Sequence, residues 1–115
     1  MKRTWIVLFI LLLSFYEIMP TIKDRRVLAE DILELRIDAP EIAGEARAGQ
    51  FVVLRVDERG ERIPLTLYDW DAGEGWISLV FLVVGCSTRK LSLLEEGEEL
   101  ADLVGPLGKP FPVKE

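Results

Sequence analysis

The run WISLVFLVVGCSTRKLSLLEE, residues 76–96, decides what kind of fold this chain makes. From Trp76 to Val84 only Ser78 is polar, and valine, isoleucine and aromatic residues dominate. That is the composition of a central strand covered on both faces. The period then changes: STRKLSLLEE sets Leu91, Leu93 and Leu94 on one apolar side of a helix that Gly97 closes. At the join stand Gly85, Cys86, Ser87 and Thr88, followed by the cations Arg89 and Lys90. Two uses fit this join. Ser87 or Thr88 caps the helix, or the turn cradles a phosphate. In the second case free N–H groups and the positive helix end draw the anion. Gly85 then has no side chain to keep the anion away.

Reading outward in both directions, the strand period recurs. TIKDRRVL is mixed, DILELRID alternates, and a loop is expected in APEIAGEARAGQ, bounded by Pro40 and Gly49. FVVLRVD is a strand, ERGER a tight connection around Gly60, IPLTLYDW a further strand and DAGEG another turn. EELADLVGPLG is a last strand ending in a Gly-Pro turn. Six short strands with one late helix predict an all-β fold, a six-stranded antiparallel barrel with a single capping helix.

Composition narrows the chemistry. A chain of 115 residues with 50% hydrophobic content fills one core. Its net charge of −6 argues against nucleic acid as the main partner. Histidine is absent, which removes the usual general base and metal ligand. Cys86 is the only cysteine, so this chain alone forms neither a disulfide nor a thiolate cluster. If the protein takes part in an enzyme reaction, a cofactor carries the chemistry.

The ends are read separately. Residues 1–18 hold an apolar run from Trp5 to Tyr16, short for a membrane span and lacking a small-x-small cleavage site. Three readings stay open: a signal or short anchor, an upstream extension with Met19 as the true start, or a packed part of the fold. Residues 19–112 are expected to be the barrel domain, and 113–115, the last residues of GPLGKPFPVKE, a truncated linker.

A second stretch with chemical content is RIPLT, residues 62–66. Pro64 lacks an N–H and belongs at a strand start or edge, leaving an exposed backbone edge beside Thr66. Arg62 beside such an edge suits a pyrophosphate, which a guanidinium grips with two parallel hydrogen bonds. A surface ion pair with Glu61 or Asp57 is the plain alternative.

Taken together, the arginine-proline-hydroxyl strand, the long apolar strand and the glycine-hydroxyl helix start resemble the flavin-binding barrel of the ferredoxin–NADP reductase superfamily. AGQFVVLRVDERGERIPLT and GCSTRKL…EEGEEL…LVGPLGKP look like the electron-transfer subunit of dihydroorotate dehydrogenase and the small subunit of NADH-dependent ferredoxin:NADP oxidoreductase. The resemblance implies a Greek-key, riboflavin-synthase-like barrel with flavin adenine dinucleotide (FAD) across its open side. It implies Arg62 on the diphosphate and Pro64, Leu65 and Thr66 along the isoalloxazine. Backbone groups of Leu82, Val83 and Val84 would meet the flavin and ribityl chain, and Gly85, Cys86, Ser87 and Thr88 would hold the diphosphate. Leu65 stands where many relatives carry an aromatic ring, Leu82 where close relatives often have glutamine, and Cys86 where they often have lysine. Tyr68 or Trp70 would cover part of the flavin or belong to the core.

The family's next domain, a nucleotide-binding domain, and its four cluster cysteines are not found in this sequence. The resemblance therefore implies that a nicotinamide held by a separate domain or subunit feeds the flavin. An iron–sulfur protein or ferredoxin would be the acceptor. The cytoplasm is the implied location, with membrane association if residues 5–16 are an anchor. The alternative is a barrel fragment or interaction module that has lost flavin binding.

Overall fold

Six strands are laid down in the order β1-β2-β5-β4-β3-β6, every neighbouring pair antiparallel. The structure, a computed structural model, describes residues 20–112; the Trp5–Tyr16 run, Met19 and residues 113–115 lie outside the described residues. The strands are β1 (Thr21–Ala29), β2 (Ile32–Asp38), β3 (Phe51–Arg55), β4 (Arg62–Asp71), β5 (Trp76–Leu82) and β6 (Asp102–Leu107). Because β2 pairs with β5 and only then do β4 and β3 follow, the connection is of Greek-key type. The sheet closes on itself where β1 begins. The Ile22 N–H donates to Glu98 O at 2.8 Å, the Gly97 N–H to Ile22 O at 2.8 Å, and the Leu100 N–H to Pro20 O at 2.9 Å. The expected all-β, six-stranded barrel is the observed one.

Period-2 alternation fills the interior. Leu33, Leu35 and Ile37 of β2, Val52 and Leu54 of β3, Leu67 of β4, and Ile77, Leu79 and Phe81 of β5 all point inward and are buried. β5 is inner, held between β2 and β4, as its uninterrupted apolar run requires. Leu91 plugs the barrel from the late helix, and Leu100 from the segment before β6.

Two local departures have physical causes. The segment read as a loop contains a short helix, α1 (Pro40–Glu45). Pro40 presets its first φ, and Ile42 and Ala43 gain burial that a polar loop would not. The late helix, α2 (Cys86–Ser92), stops before Gly97, and Leu93 serves as its C-cap. Leu91 is fully buried and Leu94 packs against the core, but Leu93 is 70% exposed. Residues two apart on a helix do not share a face, so Leu93 cannot join Leu91 inside.

Candidate functional site

The β4/β5 ladder is incomplete, and the candidate site lies where it stops. β5 pairs with β4 only from Leu67↔Leu79 to Asp71↔Trp76, through an irregularity between Leu67 and Asp69. Beyond that point the strands take different partners. Residues 62–66 of β4 pair only with β3, and Val80 to Leu82 of β5 pair with β2. The result is a backbone gap bordered by RIPLT on one side and by the end of β5, leading into α2, on the other.

Alternation along β4 sends Arg62, Pro64, Thr66 and Tyr68 outward, where all four are exposed. Ile63 and Leu65 are half-buried against the core, and Leu67 is buried. Leu65 thus faces the interior and is not part of the outward row. Pro64 opposes Val53 and Thr66 opposes Phe51 on β3. Trp70 packs against the core as well. Tyr68, at 63% exposure, is the aromatic ring left available on this face of β4.

Across the gap, Leu82 and Val84 are exposed and Val83 packs inward. The backbone donors here are largely committed within the chain. The Val83 N–H goes to Asp31 O at 2.7 Å. The N–H groups of Val84 and Gly85 both donate to the Thr88 hydroxyl at 3.0 Å. Thr88 therefore caps α2 from inside its first turn, the plainer of its two readings. The Ser87 hydroxyl, by contrast, has no hydrogen-bond partner among the described residues, and Cys86 is exposed.

Gly85 has φ −161° and ψ −175°, extended backbone that any residue adopts. A Cβ built there meets no atom within 4 Å. Neither backbone conformation nor packing calls for glycine at this position. The space over it is open.

Charge gathers at the same end. Lys90 of α2 pairs with Asp57 in the β3–β4 turn at 3.4 Å, tying the two banks of the gap. Arg62 does not pair with Glu61 or Asp57: its Nη1 reaches Asp102 Oδ2 at 2.5 Å. In the ladder, Arg62 opposes Arg55, and Arg55 in turn opposes Asp102. Arg62 therefore stretches across β3. The sequence reading missed Asp102, some forty residues distant, because only strand register brings the two together.

No family model matches the chain. A protein of Thermotoga maritima, a dihydroorotate dehydrogenase B (NAD(+)) electron transfer subunit homolog, is 48% identical over 87 residues. That match covers 76% of this chain and 31% of the relative. An uncharacterized protein encoded in the adh 3′ region of Clostridium beijerinckii is 44% identical over 89 residues, covering 77% of this chain and 30% of that one. The solved structure of NADH-dependent reduced ferredoxin-NADP oxidoreductase superposes with a TM-score of 0.80 at 46% identity, over 82% of this chain and 34% of its own. The chain spans about a third of the length of the curated relatives it matches. In sequence and in barrel the chain is similar, over about a third of their length, to the electron-transfer subunits of dihydroorotate dehydrogenase B and to the NADH-dependent reduced ferredoxin-NADP oxidoreductase.

Proposed function

We propose that this barrel binds FAD and forms the flavin-holding part of an electron-transfer oxidoreductase. The observation that carries the proposal is Gly85: the fold does not require glycine there, yet the residue stands with open space over it at the mouth of the β4/β5 gap. A ligand approaching the backbone gives that glycine a purpose, and a diphosphate next to Ser87, Arg89 and Lys90 suits the local charge. The names of the relatives, electron-transfer subunits and a flavin-based oxidoreductase, point the same way.

On this reading the exposed row of β4 supports the flavin ring. Pro64 and Thr66 lie along it, with the Thr66 hydroxyl free to donate to a ring nitrogen, and Arg62 turns toward the diphosphate. Leu82 and Val84 give aliphatic cover from the other bank, and the backbone carbonyls of Leu82 to Val84 accept hydrogen bonds. Leu65 acts through its backbone, since its side chain packs inward. Gly85, Cys86 and Ser87 receive the phosphates, and Thr88 keeps the turn in shape. A flavin held by these residues would supply the redox chemistry. The chain's own residues bind, orient and shield. The nicotinamide donor is held by a separate domain or subunit, and the acceptor is an iron–sulfur or ferredoxin-type protein in the cytoplasm. Among the described residues no helix is long and apolar enough to cross a membrane.

A second reading, a barrel that no longer takes flavin and docks a protein instead, draws on the exposure of Leu82 and Val84, 51% and 73%. One experiment separates the two. The purified chain is incubated with excess FAD and desalted, and its visible spectrum is recorded. Retained flavin absorbance supports the first reading. A colourless protein that keeps a stoichiometric protein partner overturns it in favour of the second.

A further inference from the structure

Arg62, Arg55 and Asp102 form one cross-strand row over β4, β3 and β6, with two guanidinium groups and a single carboxylate. Arg62 holds the carboxylate at 2.5 Å although it starts two strands away. Arg55, the direct neighbour of Asp102, does not. Its Nε is buried and has no hydrogen-bond partner, and its Nη1 makes only a long contact to Glu58 O at 3.4 Å. An arginine nitrogen sealed from water without an acceptor is under-satisfied. The carboxylate that opposes Arg55 on the neighbouring strand is the one that Arg62 holds.

In reaching for Asp102, Arg62 extends toward β6 and away from the β4/β5 gap. To serve an anion in the gap it must release Asp102. Alone, that release would strand a carboxylate that is about two-thirds covered, its side chain 31% exposed. With Arg55 beside it, the carboxylate changes partner instead, and the orphaned Nε side of Arg55 gains an acceptor. The number of ion pairs is conserved as Arg62 leaves.

We propose that Arg55 is a positioning residue for ligand binding: it takes over Asp102 when Arg62 turns to a diphosphate in the gap. The proposal rests on the flavin reading above and adds to it a resident counter-ion and the residue that relieves it. Arg55 touches neither the ligand nor the reacting atoms. It acts through Asp102 on the freedom of Arg62.

The test uses the full chain and the variants Arg55→Gln, Arg55→Lys, Asp102→Asn and the double variant Arg55→Gln/Asp102→Asn. FAD affinity is read from flavin fluorescence, and inorganic pyrophosphate binding from protection against thermal unfolding. Arg55→Gln weakens both by about fivefold, the scale of one partly exposed ion pair. Arg55→Lys restores most of the loss. Asp102→Asn frees Arg62 and binds pyrophosphate at least as tightly as the wild type. In that background Arg55→Gln has no further effect, a coupling that a merely structural or long-range charge role of Arg55 would not produce. Equal losses from Arg55→Gln with and without Asp102 overturn the proposal, as does a wild-type affinity in Arg55→Gln, and the flavin reading survives either result. A wild-type chain that takes up neither FAD nor pyrophosphate overturns both. Should Arg55→Gln not fold, Asp102→Asn binding pyrophosphate more weakly than the wild type is sufficient to overturn the exchange.

Discussion

Lys90 of α2 and Asp57 of the β3–β4 turn close the end of the barrel across the gap, Nζ to Oδ2 at 3.4 Å. Desolvation pushes the Asp57 carboxyl up, but the Lys90 hydrogen bond and charge, with the N–H groups of Arg59 and Gly60, outweigh it and hold the group below its ordinary 3.8. A carboxyl lowered on folding stabilises the protein fully above its unfolded value, and the contribution is lost as pH falls through the folded one. Asp57→Asn therefore melts below the wild type at neutral pH, and the gap narrows as pH drops beneath 3.8. Added salt narrows it too, because both side chains are about half exposed. Melting curves at neutral and acidic pH check this; a difference that persists unchanged in acid would contradict the pairing.

Gly49 is a case where the fold does demand glycine. Its φ is +91°, and an added Cβ would stand 2.8 Å from the Phe111 ring and 3.0 Å from the Phe111 nitrogen. The Phe111 N–H donates to Ala48 O at 2.8 Å, and Gln50 Nε2 donates to Gly108 O at 3.0 Å, so the segment after β6 is strapped over this turn. Gly49→Ala loses about 1–3 kcal/mol from backbone strain and the clash. Adding Phe111→Ala returns only the share due to the ring, because the backbone nitrogen stays close. Denaturant titrations of the single and double variants separate the two parts.

How much of this was legible in the chain follows from the range of each interaction. The six strands were readable because inward residues such as Leu33, Leu35 and Ile37 recur with period 2, a local signal. The helix at Pro40–Glu45 was not, since Ile42 and Ala43 become core only once β5 lies beneath them, and a six-residue helix carries no period of its own. RIPLT and the Gly85 turn drew notice as motifs. Their common border on a gap depends on where the β4/β5 ladder ends, which is a matter of register. The Arg62–Asp102 pair lies in the same class.

At the helix start Thr88 does the capping, and the phosphate contact proposed above falls to Ser87. The Thr88 hydroxyl accepts from both the Val84 and Gly85 N–H groups, so Thr88→Val removes the acceptor for two donors at once. A loss of about 1 kcal/mol is expected in urea titrations, with Thr88→Ser close to the wild type. Ser87 has no hydrogen-bond partner among the described residues, and Ser87→Ala changes stability by less than about 0.5 kcal/mol. Equal losses at the two positions would contradict this division of roles.

Gly85→Asp sets stability against ligand binding with opposite signs. Position 85 is the N-cap of α2, its φ of −161° suits any residue, and a Cβ there meets nothing within 4 Å. Aspartate is a preferred N-cap, and its charge complements the helix N-terminus, so the apo protein gains a few tenths of a kcal/mol. The same carboxylate stands where the diphosphate is proposed to lie and repels it through a partly desolvated contact. FAD affinity is then expected to fall at least about tenfold, or roughly 1.4 kcal/mol. Thermal melts without ligand and flavin titrations on the same preparation give both signs. If the variant is as stable as expected and still binds FAD like the wild type, the diphosphate does not approach Gly85, and the reason for that glycine lies elsewhere.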